Sequence, residues 1–394
     1  MSNPHIIYLS PYDILRPRTN QLSDVRFTEG FSQNLCHTHL IVPYVERIDN
    51  ISKKEVEETY GLKSPLNIHY CPTRFTEDVN GGWQLAQVAW YGICTTFSIL
   101  KQRKNKNQTY IISRSSHLLR PYFTLRKIFP SRFKNVVLIH WAHDFNSSKN
   151  HQRIYQLADY ILATNSSILN SILKKSKRNN EEGSFTLNPI TESQALEQIT
   201  KKEAREVVKL TDINTPLVVY TGKIGINYDQ ELKYILEAAR LLPNYTFLFT
   251  GGKPKAVAFW EDYCSGLGIN NILFTGYLSD YRKIKYYQYS ADVLISYYTK
   301  QGHDVRYNFP NKICEYMLTG NPMVSPNYPA TQDLLTENNC TFTSPENSQA
   351  LANSIKGIIK NPLPALQKAQ QAAKDVREIT FKKIAARLLK QFPK

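Results

Sequence analysis

Three strand-like runs in the second half of the chain end on the same dipeptide. Segments 217–221, 246–250 and 272–275 finish as Thr221-Gly222, Thr250-Gly251 and Thr275-Gly276, with helix-like stretches from about Asp229 and Pro254 between them. Short apolar strands alternating with helices predict a parallel α/β sheet. In such sheets ligands collect outside the carboxyl ends of the strands, where glycine lets a backbone approach closely. The alternation continues through a helix at 280–290, a strand at 292–298, a loop at 299–309, a further helix and a strand at 322–325. Thr-Gly is also an ordinary way to leave a sheet. The joint placement of the three pairs beside Lys223 and Lys312 is what suggests a site.

That further helix lies within Asn308-Phe309-Pro310-Asn311-Lys312-Ile313-Cys314-Glu315-Tyr316-Met317-Leu318-Thr319-Gly320. Pro310 suits the first helical position and Gly320 the left-handed stop, so about 3 turns are expected. The helix N-terminus carries partial positive charge and Lys312 adds a full one, which makes phosphate a natural ligand. Asn311 and Glu315 share one face. A carboxylate one turn below the phosphate end suits sugar hydroxyls, at roughly 1.5–3 kcal/mol per charge-assisted bond. Phosphate above and ribose below describe a nucleotide. The competing reading is a surface helix with a solvated Glu315 and with Ile313 and Met317 in the core.

At 394 residues the chain exceeds one ordinary core, and two domains are expected. Strands at 5–10, 38–43, 109–113, 136–141 and 160–163, with helices at 21–34, 83–101 and 151–158, repeat the alternation in the first half. The boundary is expected near Asn188-Pro189, giving domains at 1–190 and 191–375. The polar run 191–210 reads as one surface helix leading into the second sheet.

The order of a strand ending in Gly-Lys, a strand ending in Gly-Gly, Phe274-Thr275-Gly276-Tyr277, Ser290-Ala291-Asp292-Val293-Leu294, Pro310-Asn311-Lys312 through Glu315-Tyr316-Met317, and Gly320-Asn321-Pro322-Met323-Val324 resembles the C-terminal half of retaining family-4 glycosyltransferases over about 215–340. The resemblance implies the GT-B fold, two Rossmann-like parallel-sheet domains facing a cleft, with the acceptor on the first and a nucleotide-sugar donor on the second. It places Gly276 and Tyr277 near the base, Glu315 at the ribose, and Gly222 with Lys223 at the diphosphate. It also implies that the last helix, within 376–394, crosses back to the first domain. Many members carry a glutamate eight positions before the ribose one, where this chain has Tyr307, and a basic residue six positions after the Gly-Lys, where it has Asp229.

The family's Gly-Gly turn after the first strand is replaced here by Arg16-Pro17-Arg18-Thr19-Asn20. Arg16 and Arg18 suit phosphate or carboxylate through paired hydrogen bonds, or structural salt bridges to Asp24 or Glu29. His140-Trp141-Ala142-His143-Asp144 closes a strand at the ligand edge of the first sheet. By resemblance His143 serves near the reacting carbon, brought against the donor as the cleft closes. A metal ligand and a structural strand cap are the alternatives. No Asp-x-Asp pair is present to hold a divalent ion, so Lys223, Lys312 and the helix N-terminus are expected to meet the leaving-group charge without a metal, and no cofactor beyond the nucleotide-sugar co-substrate is expected. No acidic pair is marked out for glycosidase chemistry.

The formal charge is +16, and residues 101–150 hold eleven Lys/Arg against the single acid Asp144. Within them 118–129 mixes bases with aromatics and aliphatics, the composition of a surface that rests on anionic lipid. Peripheral binding at the inner face of a membrane is therefore expected, where lipid-linked saccharide acceptors occur. A solvated basic face is the alternative, and nucleic acid is disfavoured because no recognised module accompanies the bases. Segment 80–100 is uncharged and long enough to span a bilayer, but Gln84, Gln87, Thr95, Thr96 and Ser98 favour a buried helix. The polar start at 1–10 is no secretory signal. Six scattered cysteines without a C-x-x-C fit a reduced, cytoplasmic protein.

Overall fold

The computed structural model describes residues 3–14, 19–45, 58–73, 82–102, 107–226, 230–300 and 304–393. The chain forms two compact units, Met1–Leu187 with Thr380–Lys394, and Asn188–Ile379.

The first unit is built on a seven-stranded sheet of β1 (His5–Leu9), β2 (His37–Val45), β3 (Asn67–Thr73), β4 (Thr109–Ser113), β5 (Val136–Ala142), β6 (Tyr160–Ala163) and β7 (Gly183–Phe185), in the order β3-β2-β1-β4-β5-β6-β7. All pairings are parallel. Every residue of β4, β5 and β6 is buried, as expected of central parallel strands covered on both faces. β3 has no counterpart in the sequence reading. It is an edge strand whose Pro72 spoils the strand pattern yet is tolerated at an edge. The helices α1 (Thr19–Ser32), α2 (Gly82–Gln102), α3 (Ser116–Ile128), α4 (Lys149–Leu157) and α5 (Ser166–Ser176) accompany these strands. Among the described residues no helix is long and apolar enough to cross a membrane. α2 is half-buried, with Trp90 67% exposed.

The second unit begins with two short helices, α6 (Glu192–Ala195) and α7 (Lys201–Val207), where the sequence suggested one. Each has its own capping box, Thr191 with Gln194 and Thr200 with Glu203, and these reciprocal bonds start a new helix at each point. The second sheet contains β8 (Leu217–Thr221), β9 (Thr246–Thr250), β10 (Ile272–Phe274), β11 (Val293–Ile295), β12 (Met323–Pro326) and β13 (Thr341–Thr343), all parallel, in the order β10-β9-β8-β11-β12-β13. The helices are α8 (Gln230–Arg240), α9 (Pro254–Gly266), α10 (Ile284–Tyr289), α11 (Lys312–Thr319), α12 (Ser348–Lys360) and α13 (Pro362–Arg377). Val218, Phe247, Phe249, Ile295, Leu236 and Trp260 belong to one continuous core between the sheet and its helices.

The last helix starts a few residues later than the expected 376. α13 ends at Arg377, and Thr380 caps α14 (Phe381–Gln391) by accepting from the Lys383 amide. α14 belongs to the first unit, where it packs on α1. Gly30 makes that approach possible, since a Cβ there would lie 2.5 Å from the Phe381 carbonyl oxygen. Beyond α14 the Phe392 ring lies 4.9 Å from Tyr110 and 5.6 Å from Tyr160.

Both sheets therefore run third-second-first-fourth-fifth-sixth from one edge. Each reverses direction beside its first strand, between β1 and β4 and between β8 and β11, and ligands of open α/β sheets bind at such switch points.

Candidate functional site

The strand register brings the three Thr-Gly ends level. Thr221 is paired with Thr250, and Phe249 with Phe274. The loops beyond are laced together: the Gly222 amide donates to the Thr250 carbonyl at 3.0 Å, and the Gly251 amide to the Gly276 carbonyl at 3.1 Å. Gly251 has φ +128°, and a Cβ on it would meet the Gly222 carbonyl oxygen at 2.0 Å, so only glycine fits.

α11 starts at Lys312, two residues later than Pro310 suggested, and is a little over two turns long. The reason is a tightened entry. The Ile313 and Cys314 amides donate to the Pro310 and Asn311 carbonyls at 3.1 and 3.2 Å, which are three-residue turns rather than α-helical bonds. Gly320 closes the helix in the left-handed conformation, as expected. Asn188, the first residue of this unit, secures the entry. Its side-chain amide donates to the Phe309 carbonyl at 3.2 Å and to Asn311 Oδ1, and its carbonyl accepts from Cys314 Sγ.

Lys312 reaches the switch point. Its Nζ lies 3.7 Å from the centroid of the Tyr220 ring on β8 and 4.9 Å from that of Tyr298, just past β11. A Cβ on Gly222 would come within 3.3 Å of the same nitrogen. Glu315, partly exposed one turn further on, accepts from Gln288 Nε2 at 2.8 Å, and that nitrogen also donates to Thr221 Oγ1 at 3.2 Å. Tyr316 is fully buried and its hydroxyl accepts from the Thr221 amide at 2.8 Å. Burial pushes the Tyr316 phenol well up, and burial followed by the charges of Tyr316, Glu231 and Glu315 does the same for Tyr298, so both remain protonated. Gly222, Gly276, Lys312 and Glu315 are thus tied to one strand edge. Asn311 is exposed at the helix entry, and Lys223 and Tyr277 flank the set as exposed residues.

In the first unit His143 follows β5, with its ring centroid 4.4 Å from that of Trp141. Burial, then the positive charge of Arg114 and then His140, hold its pKa well below the ordinary imidazole value. His140 is buried, and burial lowers it to about 4. Both rings are therefore neutral near pH 7. Arg114, directly after β4, forms an ion pair with Asp24 at 2.7 Å, both side chains being buried. Asp24 also accepts from Tyr8 and Ser10 hydroxyls at 2.8 and 2.7 Å. This pair occupies the switch point between β1 and β4. Arg16 and Arg18 lie outside the described residues, as does Asp229. Among the described residues no three His, Cys, Asp or Glu side chains converge to hold a metal ion. No described cysteine is disulfide-bonded, and Cys94 alone of the six is exposed.

Residues 215–361 match the family model described as Glycosyl transferases group 1. The matched stretch lies within the second unit. TuaH of Bacillus subtilis, whose name assigns it to teichuronic acid biosynthesis as a glycosyltransferase, is 32% identical over 110 residues, 28% of this chain and 27% of TuaH. The likeness thus spans little more than a quarter of that relative. Among solved structures, Anabaena HepE in complex with UDP-glucose is 16% identical over 98% of this chain and 100% of its own, with a TM-score of 0.68. Sucrose-phosphate synthase from Thermosynechococcus elongatus is 14% identical over 99% and 98%, with a TM-score of 0.71. These likenesses concern the fold, which is the GT-B arrangement of two parallel-sheet α/β domains.

Within the second unit, sequence reasoning missed Gln288, Tyr220, Tyr298 and Asn188. Gln288 left a faint signal as an amide amid the aromatic helix run 286–289, and Asn188 was read only as a boundary. In the first unit, Arg114 had a plain signal as a charged residue at the ligand end of a buried strand.

Proposed function

We propose that the protein is a glycosyltransferase that moves a sugar from a nucleoside diphosphate sugar to a glycan or lipid-linked saccharide, retains anomeric configuration and uses no metal ion. The observation that carries the reading is a cation and a carboxylate in series on one short helix: Lys312 at the strand switch point, and Glu315 one turn below it, held by Gln288. Lys312, Lys223 and the α11 entry would meet charge growing on the departing diphosphate. Glu315 would accept from ribose hydroxyls, and Gly276 and Tyr277 would face the base. HepE has been solved with UDP and with UDP-glucose, which supports a uridine nucleotide among the candidates.

The first unit would take the acceptor, with neutral His143 hydrogen-bonding near the reacting carbon and Arg16 and Arg18 serving its anionic groups. A cytoplasmic place at the inner face of a membrane fits a lipid-linked acceptor and the basic first unit, and nucleic acid is not a partner in this reading. The test is release of nucleoside diphosphate from UDP-, GDP- and ADP-sugars with saccharide acceptors. Release by the wild type and its loss in Glu315→Ala support the proposal.

Tyr307 sustains a second reading, a GT-B protein that binds glycan without turnover. It stands where the resemblance expects a carboxylate for the donor sugar, and it stacks with Arg306 instead, 5.1 Å from its ring centroid. Acceptor binding with no release from any nucleotide sugar would favour that version.

A further inference from the structure

We propose that the outer face of α2, α3 and α4 docks on an anionic phospholipid bilayer, seating a headgroup phosphate in the groove between α3 and α4. The inference rests on the membrane-facing part of the function proposed above and gives it a location. It also departs from the sequence pattern, because Leu118, Leu119, Tyr122 and Phe123 of the expected lipid-facing run are buried in the core. α3 leaves His117, Arg120, Thr124, Lys127 and Ile128 outside on one face, with Phe129 just beyond.

Ile128 is 60% exposed and Phe129 45%. α2, packed beside α3, adds Trp90. Apolar and aromatic tips amid bases match the headgroup layer, where indole and guanidinium groups settle at the water boundary.

The groove, about 190 Å³, brings Arg120, Lys127 and Arg153 together around Thr124, over a floor of Phe123, Ile154 and Leu157. No carboxylate is among the residues lining it. The nearby Asp159 is engaged by Arg126 at 2.6 Å, and among the described residues Arg120 donates to the neutral Asn150 amide oxygen at 3.1 Å. Three cations around a hydroxyl donor, with no acid among the described residues that line the groove, call for an anion. The apolar floor and the exposed Ile128 and Phe129 beside it suit a phosphate that carries a lipid.

The test is sedimentation of the full chain with vesicles of equal parts phosphatidylglycerol and phosphatidylcholine, against phosphatidylcholine alone. Wild type should partition onto the mixed vesicles only. Arg120→Ser/Lys127→Ser/Arg153→Ser should lose on the order of 100-fold in partition at low salt. Lys174→Ser/Lys175→Ser/Lys202→Ser, an equal charge change on exposed sites elsewhere, should lose far less. Trp90→Ser should weaken partition while keeping its salt dependence. Equal losses in the two triple variants, indifference of the wild type to phosphatidylglycerol, or capture of duplex DNA with vesicles ignored would each overturn the proposal. Nucleotide titration of the groove variant keeps the two readings apart: it should match wild type, and vesicle binding through the groove without nucleotide binding would sink the transferase reading alone.

Discussion

The Lys312 ammonium stands 3.7 Å from the centroid of the Tyr220 ring. A flexible side chain is thereby given a fixed place at the strand switch point, through a contact that contributes about 0.5–2 kcal/mol depending on desolvation. If this cation meets leaving-group charge, Lys312→Met should lower turnover by roughly 100-fold or more, by analogy with loss of one oxyanion donor. Gly222→Ala should act in the same direction, because its Cβ would meet the movable Lys312 Nζ at 3.3 Å, and should also cost some stability, because φ there is +156°. Nucleoside diphosphate release and a thermal melt check both variants. Normal turnover in Lys312→Met contradicts the charge argument.

Gly251→Ala tests the lacing of the strand ends. The clash at 2.0 Å is with backbone, and φ is +128°, so neither partner yields cheaply. A loss of about 3 kcal/mol or more is expected. Urea unfolding reads it directly, and an unchanged midpoint would contradict the close approach of the two loops.

Gln288→Met keeps the side-chain length but removes the donor shared by Glu315 and Thr221. Nucleotide affinity should fall by about tenfold, the worth of one well-placed hydrogen bond to a charged group. Calorimetry with the matching nucleotide checks this, and affinity equal to wild type would remove Gln288 from the site.

Acid should destabilise the first unit through its buried histidines. His140 protonates near 6.5 ordinarily and near 4 in the folded chain, because burial penalises its charged form. Between those values the unfolded chain holds the extra proton. Stability is therefore complete above about pH 6.5 and lost as the pH falls towards 4, on the order of 3 kcal/mol for this group. His39, also lowered to about 4 by burial and then by its histidine neighbours, acts in the same sense. Urea midpoints at pH 7.5 and 5 should converge in His140→Gln relative to wild type; an equal pH dependence in both would refute the assignment.

The fold was legible because parallel strands buried on both faces are short, apolar and closed by recognisable turns: β8 and β9 were read to the residue, and the Gly320 stop was correct. What escaped lies where local signals are weak or compete. β3 carries a proline, the capping residues Thr191 and Thr200 divided an apparently single helix, and three-residue turns delayed α11 beyond Pro310. The apolar residues of 118–129 were visible as a pattern, but which face they take depends on the sheet beneath, and most of them went inward. In the site, Lys312 and Glu315 could be chosen from helix chemistry alone. Their partners Tyr220, Tyr298 and Gln288 come from other elements, and only the strand order brings them together.

The central claim is a nucleotide diphosphate held between the strand edge and α11. Calorimetric titration of the protein with UDP, GDP, ADP and their common sugar conjugates, with Glu315→Ala alongside, tests it most directly. The account predicts selective binding to one nucleotide, weakened by roughly tenfold or more in the variant. Binding to none of them, or equal binding by Glu315→Ala, would contradict it.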